Sequence, residues 1–393
     1  MSNDAKSYFE AMKDEMIAWR HEMHANPELS FEEQWTSDFV AEKLRSFGYE
    51  PTRGLGKTGL VATLDRGDGP SIGLRADMDA LPIDERTNLA FASKKEGVMH
   101  ACGHDGHVTM LLAAAKYLAG RDDMNGKIHF IFKHAEEGYA GAQAMIDDGL
   151  LDQFPMDEVY ALHNWPGLDA GVFAANPGPQ MAAFDVFEIK LSGQGAHAAM
   201  PHLGTDILTA AAAIQQQCQA IVARMIDPLE TAVVSITEFH GGDAWNVLPS
   251  EARLAGCTRH FSAKVQDQIE ARMGDICAGV ARSFGIEVEL KYDRRYPATI
   301  NSARETGVAL DAAARIDAPE TPREGIAPSM ASEDFAFMLQ KKPGCYIWLG
   351  AGSTEGGNTL HSPTYRFNDD ILVPGAQWWA EVAQTALKAR DAA

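Results

Sequence analysis

The order of predicted strands and helices changes in the middle of the chain, and this change restricts the possible folds more than any other feature. The spacing of apolar and β-branched residues predicts strand 184–192, helix 204–225, strands 232–239 and 250–259, helix 264–284 and strand 286–292. The resulting order, βαββαβ, is that of a ferredoxin-like two-layer domain. We therefore predict that residues 184–297 form a module inserted into a different architecture.

The sequence on both sides of this module alternates between strand and helix patterns. Before it we predict helices near 5–24, 31–47, 106–119 and 140–148 and strands 60–64, 72–74, 127–132 and 158–162; after it, helices from 302, near 333 and from 370, and strand 345–349. Ser30 and Glu33 match a capping box at the start of the second helix. Such alternation is typical of a layered α/β domain with a central, mainly parallel sheet.

The length of the chain also favours two domains. Its 393 residues exceed the size at which a single hydrophobic core usually keeps growing. We therefore predict a discontinuous α/β domain, residues 1–183 and 298–393, around an inserted domain, residues 184–297.

The charge balance argues against polyanionic partners. Subtracting 55 acidic from 34 basic side chains gives a formal charge of -21, which repels nucleic acid and anionic membranes. The first 20 residues contain no apolar run that would suit a signal peptide or a membrane span. We therefore expect a cytoplasmic location. The five cysteines show no paired spacing, so we expect no disulfide framework.

A dense group of potential metal ligands precedes the predicted helix 106–119. Residues 99–107 contain Cys102, His100, His104, Asp105 and His107. Cysteine and histidine are preferred ligands of zinc-like cations, and Asp105 or Asp79 could accept the second imidazole proton of a ligand. The alternative is a polar loop whose histidines bind only protein groups.

Polar residues also follow two predicted strands. Glu136 and Glu137 come after strand 127–132, and His163 follows strand 158–162. Ligands of open α/β sheets bind beyond the carboxyl ends of strands, so we expect these side chains to converge. Adjacent glutamates point in different directions, so one can bind a metal while the other takes a proton from water. A solvated surface pair is the alternative.

Two short motifs are interpreted as turns. Residues 54–59 match GxGxxG, but a strand follows instead of the helix that would hold a pyrophosphate. Residues 69–73 match GxSxG, but they lead from a turn into a strand, whereas a nucleophile elbow needs a strand followed by a helix.

The motifs together resemble those of a known family. They are RADMDALP (75–82), MHACGHDGH (99–107), HAEEG (134–138), LHNWP (162–166), GAHAAMPH (195–202), NVLP (246–249), SEDF (332–335) and LHSPTYRFND (360–369). In this order they resemble the aminoacylase and carboxypeptidase-like metal amidohydrolases, on the branch of hippurate hydrolase and indoleacetyl-amino-acid hydrolase. The resemblance covers nearly the whole chain.

The resemblance implies a site for two divalent metal ions. Its ligands would be Cys102, His104, Glu137, His163 and His361. Glu136 would be the general base and acid, and Asp77 and Asp79 would lie near the metals, with Asp79 as a partner of a ligand. Zinc is favoured by the cysteine, while manganese, cobalt and nickel also remain compatible with these ligands.

The resemblance also implies that the inserted domain is a lid and dimerisation domain. His197 would reach the active site of a partner subunit and stabilise the oxyanion, which requires a homodimer or a higher homo-oligomer. Asn246 and Arg259 would hold the substrate, and the planar guanidinium of Arg259 suits a carboxylate.

The function implied is hydrolysis of small N-acyl amino acids, with acetyl, benzoyl or other aryl-acyl groups, to a carboxylate and a free amino acid. A dipeptidase or aminopeptidase of the same family is one alternative, and a non-catalytic metal-containing binding protein is another. The chain departs from the family pattern at Lys133 and His134, where relatives tend to carry Gln-Pro, so substrate preference could differ locally.

Overall fold

The chain forms two units in the computed structural model, which describes residues 2–316 and 322–391. Unit 1 comprises Met1–Gln180, Ile300–Ala327 and Asp334–Ala393, and unit 2 comprises Met181–Thr299 and Pro328–Glu333. The short segment 328–333 packs with unit 2, although its position in the sequence assigned it to the discontinuous domain. Residues 1, 317–321 and 392–393 of that predicted domain lie outside the described residues.

Unit 1 contains a sheet of seven strands, numbered here along the chain. They are β1 (Thr52–Leu55), β2 (Gly59–Asp65), β3 (Ser71–Asp77), β4 (Lys127–Lys133), β5 (Glu158–Pro166), β6 (Phe173–Ala174) and β15 (Gly344–Gly352), in the spatial order β1-β2-β4-β3-β5-β15-β6. The four central strands β4, β3, β5 and β15 are parallel, and the outer three pair antiparallel. The predicted α/β fold with a mainly parallel sheet is confirmed.

Nine helices of unit 1 accompany this sheet in the described part of the chain. They are α1 (Ser2–Ala11), α2 (Lys13–Ala25), α3 (Gln34–Ser46), α4 (His104–Ala119), α5 (Gly141–Asp147), α6 (Leu150–Gln153), α9 (Ala303–Arg315), α10 (Phe335–Leu339) and α11 (Leu372–Asp391). Helix α4 is buried on nearly every side because it packs between β3 and the helices α2, α3 and α11. Among these described helices, none combines the length and apolar composition that crossing a bilayer requires.

The predicted capping box is wrong. Helix α3 begins at Gln34, and the hydroxyl of Ser30 donates to Asp79 instead of to the helix. Glu28 performs the capping role, because its carboxylate accepts from two backbone N–H groups in the first turn at 2.9 and 3.2 Å. Glu33 is thereby left for another contact in the interior.

Other boundaries also differ from the predictions. The first helix is divided at Met12, the short helix near Glu333 begins at Phe335, and the last helix begins at Leu372. Strand β5 was predicted to end at 162 but continues to Pro166, so that His163 lies within the strand. Residues 56–58 form the turn between β1 and β2, and the rest of the 54–59 motif belongs to the two strand ends. Residues 69–73 lead from a turn into β3.

Unit 2 has the predicted βαββαβ order. Its elements are β8 (Ala183–Ser192), α7 (Ile207–Ala220), β10 (Ala232–His240), β12 (Glu251–His260), α8 (Ala263–Phe284) and β13 (Glu287–Tyr296). The spatial order β10-β12-β8-β13, with antiparallel neighbours, is that of a ferredoxin-like sheet. Helix α7 is shorter than predicted: Asp206 caps its first turn, and after Ala220 it widens into a π-helical turn.

Short strands complete the two units. In unit 2, β9 (Ala196–His197) pairs antiparallel with β11 (Val247–Leu248). Strands β7 (Gly178–Met181) and β14 (Thr299–Asn301) occupy the positions where the chain passes from one unit to the other.

Candidate metal centre

The predicted metal ligands of unit 1 converge at the carboxyl edge of the parallel strands. The donor atoms of Cys102, His104 and His163 lie within 4.8 Å of one another, as do those of Cys102, Glu137 and His361 and those of His104, Glu136 and Glu137. Cys102, His104 and Glu137 are each shared by two of these groups. All five predicted ligands and the predicted base are therefore brought into one cluster, although they come from four separate parts of the chain.

The close spacing of Cys102 and His104 depends on the glycine between them. Gly103 has a φ of 90° and precedes the first turn of α4. A Cβ atom there would lie 2.4 Å from the side-chain oxygen of Asn164 on β5. Only glycine fits both the left-handed backbone and this close approach, so the turn can place a thiol and an imidazole at the helix start.

The buried donors have the properties that a cation site requires. Two donor atoms, Nε2 of His104 and Oε1 of Glu137, are buried and make no hydrogen bond. Nε2 of His361 lies 3.3 Å from the Glu137 oxygen. The Cys102 sulfur lies 3.4 Å from Nε2 of His163. Buried polar atoms without partners cost free energy, and divalent cations satisfy this combination of sulfur, nitrogen and oxygen ligands. The residues present therefore fit a metal centre.

The protonation of these donors depends on the cation. Burial, followed by the negative charges of Glu137 and Glu136, raises the pKa of the Cys102 thiol well above its usual value. Burial opposes protonation of His104, but the charge of Asp77 and a hydrogen bond with Asp79 raise its pKa to about 10. Both donors therefore hold protons until a cation displaces them.

The two buried histidines predicted as ligands are oriented by backbone carbonyl groups. Nδ1 of His104 donates to the carbonyl oxygen of Asp79 at 2.8 Å, and Nδ1 of His163 donates to that of Asn164 at 2.6 Å. These bonds leave Nε2 of each ring available to a metal. Asp105, the other candidate partner for an imidazole proton, instead accepts from Arg20 at 3.0 Å and contacts His24.

The two predicted aspartates lie next to residues that are predicted to bind the metals. The Asp79 carboxylate accepts from the backbone N–H of Glu137 at 2.9 Å, and one of its oxygens lies 3.4 Å from Nδ1 of His104. Asp77 accepts from Nδ1 of His107 at 2.6 Å and lies 3.7 Å from Nε2 of His104. Both carboxylates thus fix residues that carry or adjoin the donors.

The unusual Lys133 belongs to a buried ion network. Its ammonium group donates to Asp334 at 3.0 Å, and Arg75 donates to the other oxygen of Asp334 at 2.7 Å. Burial works against ionisation of Asp79, but the His104 hydrogen bond and the Lys133 charge lower the Asp79 pKa below its usual range. Lys133 therefore adds positive charge near Asp79, the carboxylate that adjoins His104.

The turn that carries the two glutamates is held by a carboxylate that the sequence did not reveal. Glu33 accepts from the backbone N–H of Ala135 at 2.9 Å, from a second N–H at 3.1 Å and from the Thr58 hydroxyl at 2.7 Å. Ala135 has a φ of 52°, which is strained for a residue with a side chain. Glu33 thus stabilises the conformation that positions Glu136.

The charge of Glu33 is subject to opposing influences. Burial, followed by the negative charge of Asp79, raises the pKa of Glu33 to about 7. In the three hydrogen bonds described above, N–H and O–H groups donate to the Glu33 carboxylate. These bonds favour its ionised form and so oppose the rise in its pKa.

The predicted residues of unit 2 are partly brought together. His197 is exposed on β9, directly opposite Val247 of β11, and the N–H of Ala198 donates to the carbonyl oxygen of Asn246 at 3.0 Å. Arg259 lies on β12, where its guanidinium donates to Met330 at 3.2 Å and stacks over the Phe184 ring at 4.2 Å. Its described contacts include neither His197 nor Asn246.

The fold and the donor cluster define a metal-dependent hydrolase that acts on amide bonds. The chain belongs to peptidase family M20/M25/M40, whose family model matches residues 73–385.

Individual relatives share most of the length of the chain. The hippurate hydrolase of Campylobacter jejuni is 41% identical over 370 residues, which cover 94% of this chain and 96% of the relative. An N-acyl-L-amino acid amidohydrolase of Geobacillus stearothermophilus is 42% identical over 301 residues, covering 76% of this chain and 81% of the relative. A dinuclear metal-binding peptidase of the M20 family from Bacillus subtilis has a similar structure, with a TM-score of 0.84, 33% identity and coverage of 96% of this chain and 99% of the other.

Proposed function

We propose that this protein hydrolyses the amide bond of small N-acyl amino acids and releases a carboxylate and a free amino acid. The observation that carries the proposal is the shared cluster of potential metal ligands, in which a donor atom of Glu136 lies within 4.8 Å of those of His104 and Glu137. Relatives named for hydrolysis of hippurate and of N-acyl-L-amino acids support the substrate class.

We propose that Cys102, His104, Glu137, His163 and His361 hold two divalent metal ions, zinc or manganese, with cobalt or nickel also compatible. When bound, such ions supply Lewis acidity that activates the acyl carbonyl and water. A dinuclear metal-binding relative supports the number of ions, and the mixed sulfur, nitrogen and oxygen donors support the choice of metals.

The side chains of the protein perform the proton transfer and the binding in this proposal. Glu136 takes a proton from the attacking water and delivers it to the leaving nitrogen, because amide cleavage requires protonation of the amine. His197 donates a hydrogen bond to the oxyanion that develops on the carbonyl oxygen. Asn246 and Arg259 hold the carboxylate of the amino acid, for which a guanidinium fork is suited.

We further propose that the protein is a homodimer, in which unit 2 is the lid and dimerisation domain and the boundaries of the inserted module are residues 184 and 297. In the dimer His197 acts in the active site of the partner subunit. A cytoplasmic location belongs to the same proposal, and cell fractionation tests it.

The assignment of Glu136 as the base is tested by Glu136→Gln. The side-chain amide of the variant cannot accept a proton from the attacking water. We therefore expect kcat to fall by roughly 10²- to 10⁴-fold while two metal ions per chain are retained. The measurements are hydrolysis of hippurate and N-acetyl amino acids after chelation and reconstitution, together with metal analysis.

A variant that kept both its metal and its turnover would show that another group is the base. Wild-type protein that cleaved free dipeptides but neither N-benzoyl nor N-acetyl amino acids would exclude the proposed substrate class.

A further inference from the structure

Two stacked indoles lie beside the candidate metal ligands. Trp165 is at the end of β5, and Trp348 is on the neighbouring parallel strand β15. Their ring centroids are 4.0 Å apart with an angle of 8° between the planes, and the Trp165 ring centroid lies 6.2 Å from that of His163. An aromatic pair therefore borders the donor cluster.

The strand geometry explains this arrangement. Side chains alternate along a strand, so His163 and Trp165 project from the same face of β5. In the parallel register Trp348 lies opposite His163, and Gly350 lies opposite Trp165. Gly350 has no side chain, and the backbone of Asp169 fills the position that its Cβ would take. The indole of Trp165 lies against that of Trp348.

The pair is not part of the general core packing. Within the described residues, the hydrophobic core cluster of unit 1 includes Trp378 and Trp379 but neither Trp165 nor Trp348. Trp348 is 4% exposed, whereas Trp165 is only partly buried. Trp348 thus supports one face of Trp165, while part of the Trp165 indole stays accessible.

We propose that Trp165, supported by Trp348, binds the acyl group of the substrate and selects planar aromatic acyl groups. This inference rests on the proposed function.

The chemistry of the substrate decides which of its halves contacts the indole. The acyl group is bonded to the carbonyl carbon that must reach the metal ligands, so it lies close to His163 and hence to Trp165. The other half carries a carboxylate, and an apolar indole cannot compensate its desolvation. An aromatic acyl ring gains stacking or edge-to-face contact with tryptophan.

The test compares two substrates that differ only in the acyl group. The variant Trp165→Leu keeps an apolar side chain but removes the aromatic ring, so the ratio of kcat/KM for N-benzoylglycine to that for N-acetylglycine should fall by roughly 3- to 30-fold. Trp165→Phe keeps a ring and should retain most of the ratio. Metal content and Tm establish that each variant is folded and loaded.

Trp35 provides a matched control. It is also a partly buried tryptophan stacked on an aromatic ring, Phe39, at 5.4 Å, but it lies on α3 and contacts none of the donors in the described contacts. Trp35→Leu should leave the benzoyl-to-acetyl ratio unchanged.

Two results would overturn the inference. One is an unchanged benzoyl-to-acetyl ratio in a folded, metal-loaded Trp165→Leu protein. The other is a change confined to the ratio of N-acetylphenylalanine to N-acetylglycine, because Trp165 would then contact the amino acid half.

Calorimetric binding of benzoate and acetate separates this inference from the proposed function. Benzoate binding that is weakened in Trp165→Leu, together with wild-type protein that hydrolyses no N-acyl amino acid, would support the aromatic subsite while excluding the reaction. Benzoate affinity that is equal in wild type and Trp165→Leu would exclude the subsite, whatever the activity.

Discussion

Buried carboxylates near the donor cluster have different tasks although they look alike in sequence. Glu28 and Glu33 are both buried and both adjoin the start of α3. In the described contacts, the Glu28 carboxylate binds the first turn of α3 and lies 3.5 Å from Lys95. Glu33 instead reaches the backbone of Ala135, next to Glu136. The two residues therefore form a matched pair for separating stability from catalysis.

We expect Glu33→Gln to lower kcat by roughly 10- to 100-fold, because a small displacement of a catalytic group has effects of this size. In this variant the NH₂ group of the new side chain would face N–H and O–H groups that donate to the carboxylate in the wild type. The turn at Ala135 would then be held less firmly. Steady-state kinetics on an N-acyl amino acid measure the effect, and KM and metal content should change little.

Glu28→Gln is the control for this prediction. It should lower Tm by weakening the cap of α3 and leave kcat close to the wild-type value. Equal kcat values for the two variants at equal metal content would exclude a positioning role for Glu33.

The site residues fall into two groups according to how well the sequence predicts them. Cys102, Glu136 and His163 stand at or near the ends of predicted strands and helices, so local patterns predicted their convergence. Glu33 and Asp334 lie in short acidic segments that look solvated, and their partners are distant in sequence: Asp334 binds Lys133, which is 201 positions away. Only tertiary contacts reveal that such carboxylates are buried.

At the scale of secondary-structure elements, charged side chains join helix α2 to the start of helix α4, where His104 also lies. Nδ1 of His24 on α2 donates to Asp105 in the first turn of α4 at 2.8 Å, and its Nε2 lies 3.3 Å from Glu85. Burial opposes protonation of His24, but the hydrogen bond and charge of Asp105 raise its pKa to about 9.

This contact predicts a pH dependence of stability. The pKa of an unfolded histidine is about 6.5, so protonated His24 stabilises the fold fully below that pH and loses the effect as the pH rises through about 9. The shift corresponds to about 3 kcal/mol. Urea unfolding of metal-loaded protein from pH 6 to 10 should show the loss in wild type and a much flatter profile in His24→Gln.

His129 supplies the control for the pH experiment. It is also buried in unit 1, but burial lowers its pKa, and it binds hydroxyl groups and a carbonyl group. His129→Gln should keep the wild-type slope above pH 6.5. A slope that persists in His24→Gln would assign the effect to another group.

Element types were predicted better than element boundaries. The order of strands and helices in both units follows hydrophobic periodicity, which is a local property. The start of α3 and the end of β5 were misplaced because long-range contacts decide them: Glu28 caps α3 from outside the helix, and pairing with β15 extends β5 past His163. Ser30 was assigned to a cap, but Asp79 binds its hydroxyl.

For the whole molecule, the proposed action of His197 across subunits predicts complementation. In a symmetric dimer, mixing inactive Glu136→Gln with inactive His197→Ala produces heterodimers with one intact site, so activity should recover to about a quarter of the wild-type value after subunit exchange. Hydrolysis assays before and after exchange, with the mass measured by light scattering, provide the readout.

Each variant mixed with itself serves as the control for complementation and should stay inactive. Recovery that failed although the mixed dimer formed would place His197 in the site of its own chain.

The position of β15 in the sheet also affects how the protein is made on the ribosome. This strand lies between β5 and β6 and precedes His361, yet it emerges only after the whole of β8–β13 has been synthesised. Until then the growing chain exposes an unpaired edge of β5, which is a template for aggregation. All four strands of the unit 2 sheet are synthesised before β15, so unit 2 can fold during this interval. The sheet of unit 1 is thus completed late in synthesis, when β15 covers the edge of β5, and the segment that carries the proposed metal ligand His361 follows it.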